Sequence, residues 1–397
     1  MIKKTTYILS AAAVLAAMAV SCTSQDDIYK QYIKLGGYDY PAKPLSLSTE
    51  RGYKRVLVKW VKPMDPAVKT ARLFWDNYAD SLDVSYSDFP NDSVTVNVTD
   101  LEDRSYTFDV KNYDENGNVS LAEEITVSPY SDSWMVSRTE RTVNSAEMDG
   151  DDAVISMSKM TDEMIATRFR YKDLNDEWVE VEEHMSGDVR TMRFPKALKG
   201  KRFEYSSAYC PSNGLDTVWR AWVKSTDGIS YQLNGKRWVV TATKGQTFSE
   251  NTPEKIFDGK ALSGCRWHSS RSEATMLVFP KILSVDTQAS VDNEYAFTKF
   301  TFCENPESAS LRYIKNYSIY VGSSAYDPDD TEYRNHYGIQ FLSGVLSTTS
   351  GEQTVTASRG ATGRYLSIVF TDSWNTAEGY IDLWELIPYG YIPSQAD

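Results

Sequence analysis

Apolar and polar residues alternate along most of the chain beyond residue 41. Segments 56–60, 93–98 and 106–110 place an apolar side chain at every second position, which is the period of a strand with one buried face. Turn-forming pairs such as Asn116-Gly117 and Asp227-Gly228 separate these segments, since such pairs favour tight turns. The pattern predicts an all-β protein built from sandwiches of short strands.

The N-terminal segment has a different pattern. Residues 1–21 combine a basic start, a short apolar stretch and small residues before Cys22, which is typical of a secretory signal peptide. Residues 19–22, Ala-Val-Ser-Cys, resemble the lipobox of bacterial lipoproteins, and the resemblance implies that Cys22 carries the lipid. Residues 22–41 begin with an acidic run that resembles the surface-export tether of Bacteroidota lipoproteins. We therefore expect a lipid-anchored, surface-exposed protein of the outer membrane.

Composition excludes several classes of partner and site. The chain has 42 Lys and Arg against 55 Asp and Glu, a net charge of −13, which argues against nucleic acid as a partner. The acidic balance also disfavours anionic lipid, so membrane contact is expected through the lipid anchor only. Its 3 His and 4 Cys stand in no zinc or haem spacing. Acid–base catalysis would have to rest on carboxylates.

Two segments resemble fibronectin type III domains. In residues 42–130, Trp60 lies on an early strand, and Leu101 to Tyr106 resembles the leucine and tyrosine-corner segment of that family. The resemblance implies that the Tyr106 hydroxyl ties the corner to nearby backbone. Residues 131–235 repeat the plan more loosely. We expect tandem fibronectin III-like sandwiches.

Residues 245–397 resemble the discoidin, or coagulation factor 5/8 type C, family. Asp258-Gly259 followed by Trp267-His268 is similar to its opening motif. Segments 314–321, 363–370 and 379–390 are similar to its later strands. The resemblance implies a discoidin-like jelly roll, a fold that hosts sugar, lipid and protein binders.

The discoidin resemblance also implies a calcium site. Asp258 and Glu385 stand where many members of that family offer carboxylates. The carbonyls of Lys255 and Lys260 and the hydroxyl of Ser263 would complete an oxygen-rich site. The alternative is that Asp258 caps a turn and Glu385 pairs with a nearby Lys or Arg.

Candidate carbohydrate-binding residues lie in three C-terminal loops. These loops mix aromatic rings with hydrogen-bonding side chains, as a sugar site requires. The candidates are His268, Arg271, Tyr326, Arg334, Asn335, His336, Tyr337, Trp374 and Asn375. Alternatively, the long loop is solvated and its Tyr rings pack on the rim of the barrel.

The thiols after Cys22 permit two interpretations. Cys265 could bridge Cys303, or Cys210, Cys265 and Cys303 could all remain free and buried.

The combined features favour a cell-surface lipoprotein that binds a glycan or polysaccharide without catalysis, beside a glycan importer. A structural or adhesive protein with a protein partner is the alternative. A glycoside hydrolase, with paired carboxylates, is the third hypothesis. Calcium is the cofactor that the resemblance implies.

Overall fold

The computed structural model confirms an all-β protein. It describes residues 37, 40–183, 190–243, 246–248, 253–260, 265–269, 279–304, 313–327, 337–348, 351–375 and 381–397. Strands make up 56% of it and helices 6%. In the described part, no helix is long and apolar enough to cross a membrane. The predicted signal peptide, lipidated Cys22 and nearly all of the tether lie outside the described residues.

The first sandwich belongs to a compact unit that the described residues up to Ser137 form with Asn213–Asp216. Its strands are β1 (Leu45–Gly52), β2 (Arg55–Val61), β3 (Val68–Trp75), β4 (Asp80–Ser85), β5 (Ser93–Val98), β6 (Tyr106–Asp114) and β7 (Glu123–Val127). A 3₁₀ turn spans Tyr86–Asp88, and helix α1 spans Asp132–Val136. One sheet has the order β1-β2-β5 and the other β4-β3-β6-β7, all antiparallel. This strand order is that of a fibronectin III-like sandwich.

The core of this sandwich follows from alternation along each strand. In β2 the side chains of Val56, Val58 and Trp60 are buried, whereas those between them are partly exposed. At the predicted corner, the backbone N–H of Glu102 donates to the Tyr106 hydroxyl over 2.8 Å, and the Tyr106 ring is buried. The hydrogen bond that the sequence predicts is therefore present.

The second sandwich has the same strand order. Its strands are β8 (Val143–Asp149), β9 (Asp152–Met157), β10 (Met164–Lys172), β11 (Trp178–Glu183), β12 (Thr191–Phe194), β13 (Glu204–Tyr209), β14 (Val218–Trp219) and β15 (Val223–Lys224). One sheet runs β12-β9-β8; the other runs β11-β10-β13, and β14 and β15 both pair with β13. Phe169, Phe194 and Phe203 fill the core, and the Tyr171 and Phe194 rings stack with centroids 4.4 Å apart.

A jelly roll of two facing sheets follows. Its strands are β16 (Tyr231–Gln232), β17 (Val239–Ala242), β18 (Gln246–Phe248), β19 (Cys265–Ser269), β20 (Lys281–Asp286), β21 (Tyr295–Glu304), β22 (Ile314–Gly322), β23 (Ile339–Val345), β24 (Gly351–Gly363), β25 (Tyr365–Ser373) and β26 (Ile381–Tyr391). Short 3₁₀ turns span Pro253–Phe257, Val291–Asn293 and Pro393–Gln395. One sheet runs β18-β19-β26-β21-β24, with β16 on β26, and the other runs β17-β20-β25-β22-β23. Phe297, Phe300 and Phe302 meet Leu366 and Ile368 in the core between them.

The jelly roll begins earlier than residue 245, the predicted start. Strand β16 pairs with β26 and β17 pairs with β20, so segments 231–232 and 239–242 belong to its sheets. The second sandwich and the jelly roll form one compact unit, made by the described residues of Arg138–Ser212 and Thr217–Asp397. Within it, the Tyr391 hydroxyl donates to Asp227 over 2.9 Å, and Lys299 pairs with Glu147. Backbone pairing, which composition does not reveal, sets this boundary.

The described cysteines are unbridged. The thiol of Cys303 is free and buried, and burial, with the charges of Glu352 and Glu385, raises its pKa to about 12. Cys210 is half-buried and forms no disulfide. The side chain of Cys265 lies outside the described part. Cys303 is therefore a free buried thiol, as the second of the two sequence interpretations expects.

Replacing Tyr106 with Phe tests the corner. The Tyr106→Phe variant loses the acceptor for the Glu102 N–H and should lower the free energy of unfolding by about 1 kcal/mol. Chemical denaturation of the full chain, followed by tryptophan fluorescence, measures the difference. Tyr78→Phe is the control because the Tyr78 side chain is 49% exposed. Equal denaturation midpoints for Tyr106→Phe and Tyr78→Phe would contradict the structural role of the Tyr106 hydroxyl.

Candidate binding site

Trp374 lies directly after β25, where the chain leaves the sheet. Its backbone N–H donates to the carbonyl of Tyr313 over 3.0 Å, and its Nε1–H donates to the carbonyl of Leu346 over 3.1 Å. The indole stays half-buried. The two hydrogen bonds therefore hold a partly exposed ring in a fixed orientation.

A cation and a carboxylate accompany this ring. Lys315 Nζ lies 5.0 Å from the centroid of the Trp374 ring, within the range of a cation–π contact. The same Nζ lies 2.9 Å from Asp372 Oδ2. Asn375 follows the ring, and its carbonyl accepts a hydrogen bond from Ser373 Oγ over 2.9 Å. The cluster thus combines a ring for apolar stacking with a donor and an acceptor for hydroxyl groups.

Lys315 is the member of this cluster that the sequence analysis missed. It lies on β22, whose residues Ile314 and Asn316 pair with Ser373 and Asp372 at the end of β25. No local pattern marks Lys315, because its contact with the ring depends on this pairing of strands that are distant in the chain.

The predicted rings of Tyr326 and Tyr337 are buried. Their side chains are 5% and 3% exposed, with centroids 4.2 Å apart. Both pack with Ile282 and Val369. Neither ring presents a face to solvent, so both contribute to packing and neither is available to stack on a ligand. Their burial agrees with the alternative interpretation of this loop, in which the Tyr rings pack against the barrel.

The side chains of the other candidates lie outside the described part. Residues Arg271, Arg334, Asn335 and His336 are not among the described residues, nor is Ser263. His268 is on β19, where its backbone pairs with Thr247. Their assignment as binding residues stays a prediction.

Asp258 and Glu385 meet at one turn. The buried Ile256 and Phe257 fix the preceding 3₁₀ turn. Gly259 then adopts a φ of +78°, a conformation that glycine tolerates without strain. Its N–H donates to Glu385 Oε1 over 2.8 Å. The turn thereby places the Asp258 side chain beside the carboxylate of Glu385.

Asp258 also satisfies the turn itself. Its Oδ1 accepts the N–H of Lys260 over 2.8 Å, and its Oδ2 lies 3.8 Å from Lys255 Nζ. Asp258 therefore caps the turn, as one of the two sequence interpretations expects. The same interpretation expects Glu385 to pair with a nearby Lys or Arg. Among the described contacts, Glu385 makes no such pair.

Glu385 is an unusual carboxylate. Its side chain is 3% exposed, and burial, together with the charge of Asp258, raises its pKa to about 7. Within the described residues, its Oε2 has no hydrogen-bond partner. A pocket of about 320 Å³ opens beside it, lined by Phe257, Gly259, Lys236 and others. A buried carboxylate oxygen without a hydrogen bond is costly. The backbone N–H groups of Gly259 and Lys260 offset part of this cost, because both lower the pKa of the carboxyl, and an ion or protonation would offset the rest.

The residues at this turn fit a hard divalent cation. Carboxylate and carbonyl oxygens are the ligands that calcium prefers, and Asp258 and Glu385 supply the carboxylates. Among the described residues, no cluster of three or more His, Cys, Asp or Glu could hold a metal ion. An ion here would thus need backbone oxygens, for which Lys255 and Lys260 lie in the same turn.

Comparisons with known proteins give the following matches. Residues 22–218 match the model of the family DUF4998, a domain of unknown function. No curated protein matches the sequence.

Solved structures of similar fold include a family 32 carbohydrate-binding module of Clostridium perfringens NanJ in complex with galactose. It shares 15% identity, with a TM-score of 0.31, and the match covers 41% of this chain and 99% of that one. A SusE-like protein shares 9% identity, with a TM-score of 0.32, over 87% of this chain and 97% of that one. A two-domain fibronectin type III segment of chicken tenascin shares 11% identity, with a TM-score of 0.21, over 46% and 100%.

Proposed function

We propose that the protein is a surface lipoprotein that binds carbohydrate without catalysis through its jelly roll. The observation that carries the proposal is the fixed, half-exposed indole of Trp374 beside Lys315 and Asp372. A sugar offers a C–H face to such a ring and hydroxyls to the flanking charges.

The jelly-roll site is expected to bind weakly and to depend on one ring. A single ring and a few hydrogen bonds offset only part of the entropy lost on association. The protein is expected to lie beside an outer-membrane glycan importer, where the affinities of several weak sites on one surface combine.

Replacing Trp374 tests the site. The mature chain should be retarded in native gels that contain a neutral polysaccharide, and Trp374→Ala should lower the apparent affinity about fivefold or more, since one stacked ring contributes about 1 kcal/mol. Ile339→Ala is the matched control, because Ile339 is a 77% exposed apolar side chain of the same domain.

A panel of starch, galactan, arabinan, xyloglucan and yeast mannan covers the main neutral classes. If no polysaccharide retards the chain, or if Trp374→Ala binds as the control does, the jelly-roll site is overturned. Retention of a protein partner by both variants, with no polysaccharide bound, would favour an adhesive role.

We further propose that calcium binds at Asp258 and Glu385, with the carbonyls of Lys255 and Lys260, and holds the turn in place. Bound calcium would neutralise the buried carboxylate and supply the missing partner of Glu385 Oε2.

Calcium should therefore raise the thermal midpoint of the chain relative to the chelated protein. At a calcium concentration a hundredfold above Kd the free energy of unfolding rises by about 2.7 kcal/mol. Glu385→Gln should abolish this rise, whereas Glu352→Gln, which alters an exposed carboxylate of the same domain, should retain it. Equal midpoints of the wild-type chain with calcium and with chelator would exclude the ion.

The anchor is tested at Cys22. In a bacterial host that processes lipoproteins, the wild-type chain should sediment with outer membranes, whereas Cys22→Ser should be released in soluble form, since no acyl chain remains to hold it. Protease added to intact cells should digest the anchored chain if it faces outward. Sedimentation of Cys22→Ser with membranes would contradict lipidation at this residue.

A further inference from the structure

The outer face of β10 in the second sandwich carries a row of cations. Phe169 and Tyr171 point into the core, so the alternating side chains of Arg168, Arg170 and Lys172 lie on the opposite face of the sheet. The first and the last cation are four residue steps apart, a distance of about 13 Å along a strand.

Indole rings lie over these cations. Arg168 Cζ is 4.5 Å from the centroid of Trp219 and 4.4 Å from that of Trp222. Arg170 Cζ is 4.6 Å from the centroid of Trp222. Each distance is within the range of a cation–π contact. Rings and guanidinium groups thus alternate along the strand.

Trp178 continues the row on the neighbouring strand. It pairs with Lys172 across β10 and β11, and its ring centroid lies 5.1 Å from Lys172 Nζ and 5.4 Å from Arg170 Cζ. Despite these two contacts, Trp178 is 51% exposed. Since both cations come from the sheet beneath the ring, the exposed side of the Trp178 ring is the one that faces away from the sheet. We call Trp178, Trp219 and Trp222, with the cations beneath them, the indole face.

The charge of this face is balanced. On β10 and its two neighbouring strands, the basic side chains Arg168, Arg170 and Lys172 alternate with acidic ones. The acidic side chains are Glu180 and Glu182 on β11 and Glu204 on β13, which pairs with Arg170. Balanced charge gives no long-range attraction for a polyanion. It does offer donors and acceptors beside each ring, which suits a neutral ligand rich in hydroxyl groups.

We propose that the indole face is a second carbohydrate-binding surface, and that it takes a segment of a neutral polysaccharide along the direction of β10. The cations hold the rings in place before the ligand arrives, so less side-chain freedom is lost on binding. The site is separate from Trp374 and goes beyond the jelly-roll site proposed above, with which it shares only the class of ligand.

Two linked sites of this kind would act together on a long chain. A polysaccharide bound at one site raises the local concentration of its other segments at the second site, so the two weak affinities combine. A short oligosaccharide cannot bridge two sites and should bind each of them weakly.

The test uses the full mature chain in native gels with the same neutral polysaccharides, and with polygalacturonate as the anionic comparison. Trp178→Ala should lower the apparent affinity for the retarding neutral polysaccharide about fivefold or more, the effect of one lost ring contact. Trp178→Phe keeps an aromatic ring and should recover part of the affinity.

Tyr78→Ala is the matched control. Tyr78 is 49% exposed and carries Lys111 Nζ 4.6 Å from its ring centroid, so it reproduces the ring-over-lysine arrangement on the first sandwich. It should leave retardation unchanged. Thermal midpoints of all variants separate lost binding from lost folding, because the exposed Trp178 ring contributes little to the core.

The outcomes distinguish this proposal from the jelly-roll site. Loss of affinity in both Trp178→Ala and Trp374→Ala supports two sites, and loss in Trp178→Ala alone supports the indole face while the jelly-roll site fails. Unchanged affinity in Trp178→Ala overturns the indole face whatever Trp374→Ala does. So does retardation by polygalacturonate alone, or an effect of Trp178→Ala confined to capture of a protein.

Discussion

Alternation of side chains across a strand is the constraint on which the rest of this structure depends. Each sheet buries one face against its partner, so every inward residue fixes the orientation of its two outward neighbours. In β10, the burial of Phe169 and Tyr171 forces three cations into one row on the opposite face. At the end of β25 the register with β22 is irregular, and this irregularity lies where Lys315 pairs with Asp372. Surface chemistry here follows from core packing.

One buried carboxylate in the jelly roll is not explained by this alternation. Glu385 is on β26 and its side chain is buried, yet its second oxygen finds no partner among the described residues. A well-packed domain tolerates such a group only when a ligand, an ion or a change of protonation compensates for it. The backbone N–H of Gly259 donates one hydrogen bond to the carboxylate, and the N–H of Lys260 also lowers its pKa; the proposed calcium ion would offset the remaining cost.

Much of the architecture could be predicted from sequence, because alternation and turn residues are local signals. Trp60 and the Tyr106 corner are of this kind. Features that depend on the pairing of strands distant in the chain could not be predicted from sequence. Tyr326 and Tyr337 resemble exposed loop rings in sequence, but Ile282 and Val369 on other strands bury them. For the same reason, the sequence did not predict that Lys315 lies beside Trp374. It also did not predict the indole face, whose rings come from β11 and from the segment that follows β13.

The pairing of β16 and β17 also determines where the chain can be divided. A fragment that started at residue 245 would lack the strand that covers one edge of β20 and the one that lies on β26. Bare strand edges invite pairing with other molecules, so such a fragment would be prone to self-association and its measured binding would not be that of the folded domain. A cut near residue 138 keeps both sheets and the second sandwich together, although it separates Asn213–Asp216 from the first unit, to which these residues belong. The natural building block is therefore a pair of β-domains that must be expressed as one piece.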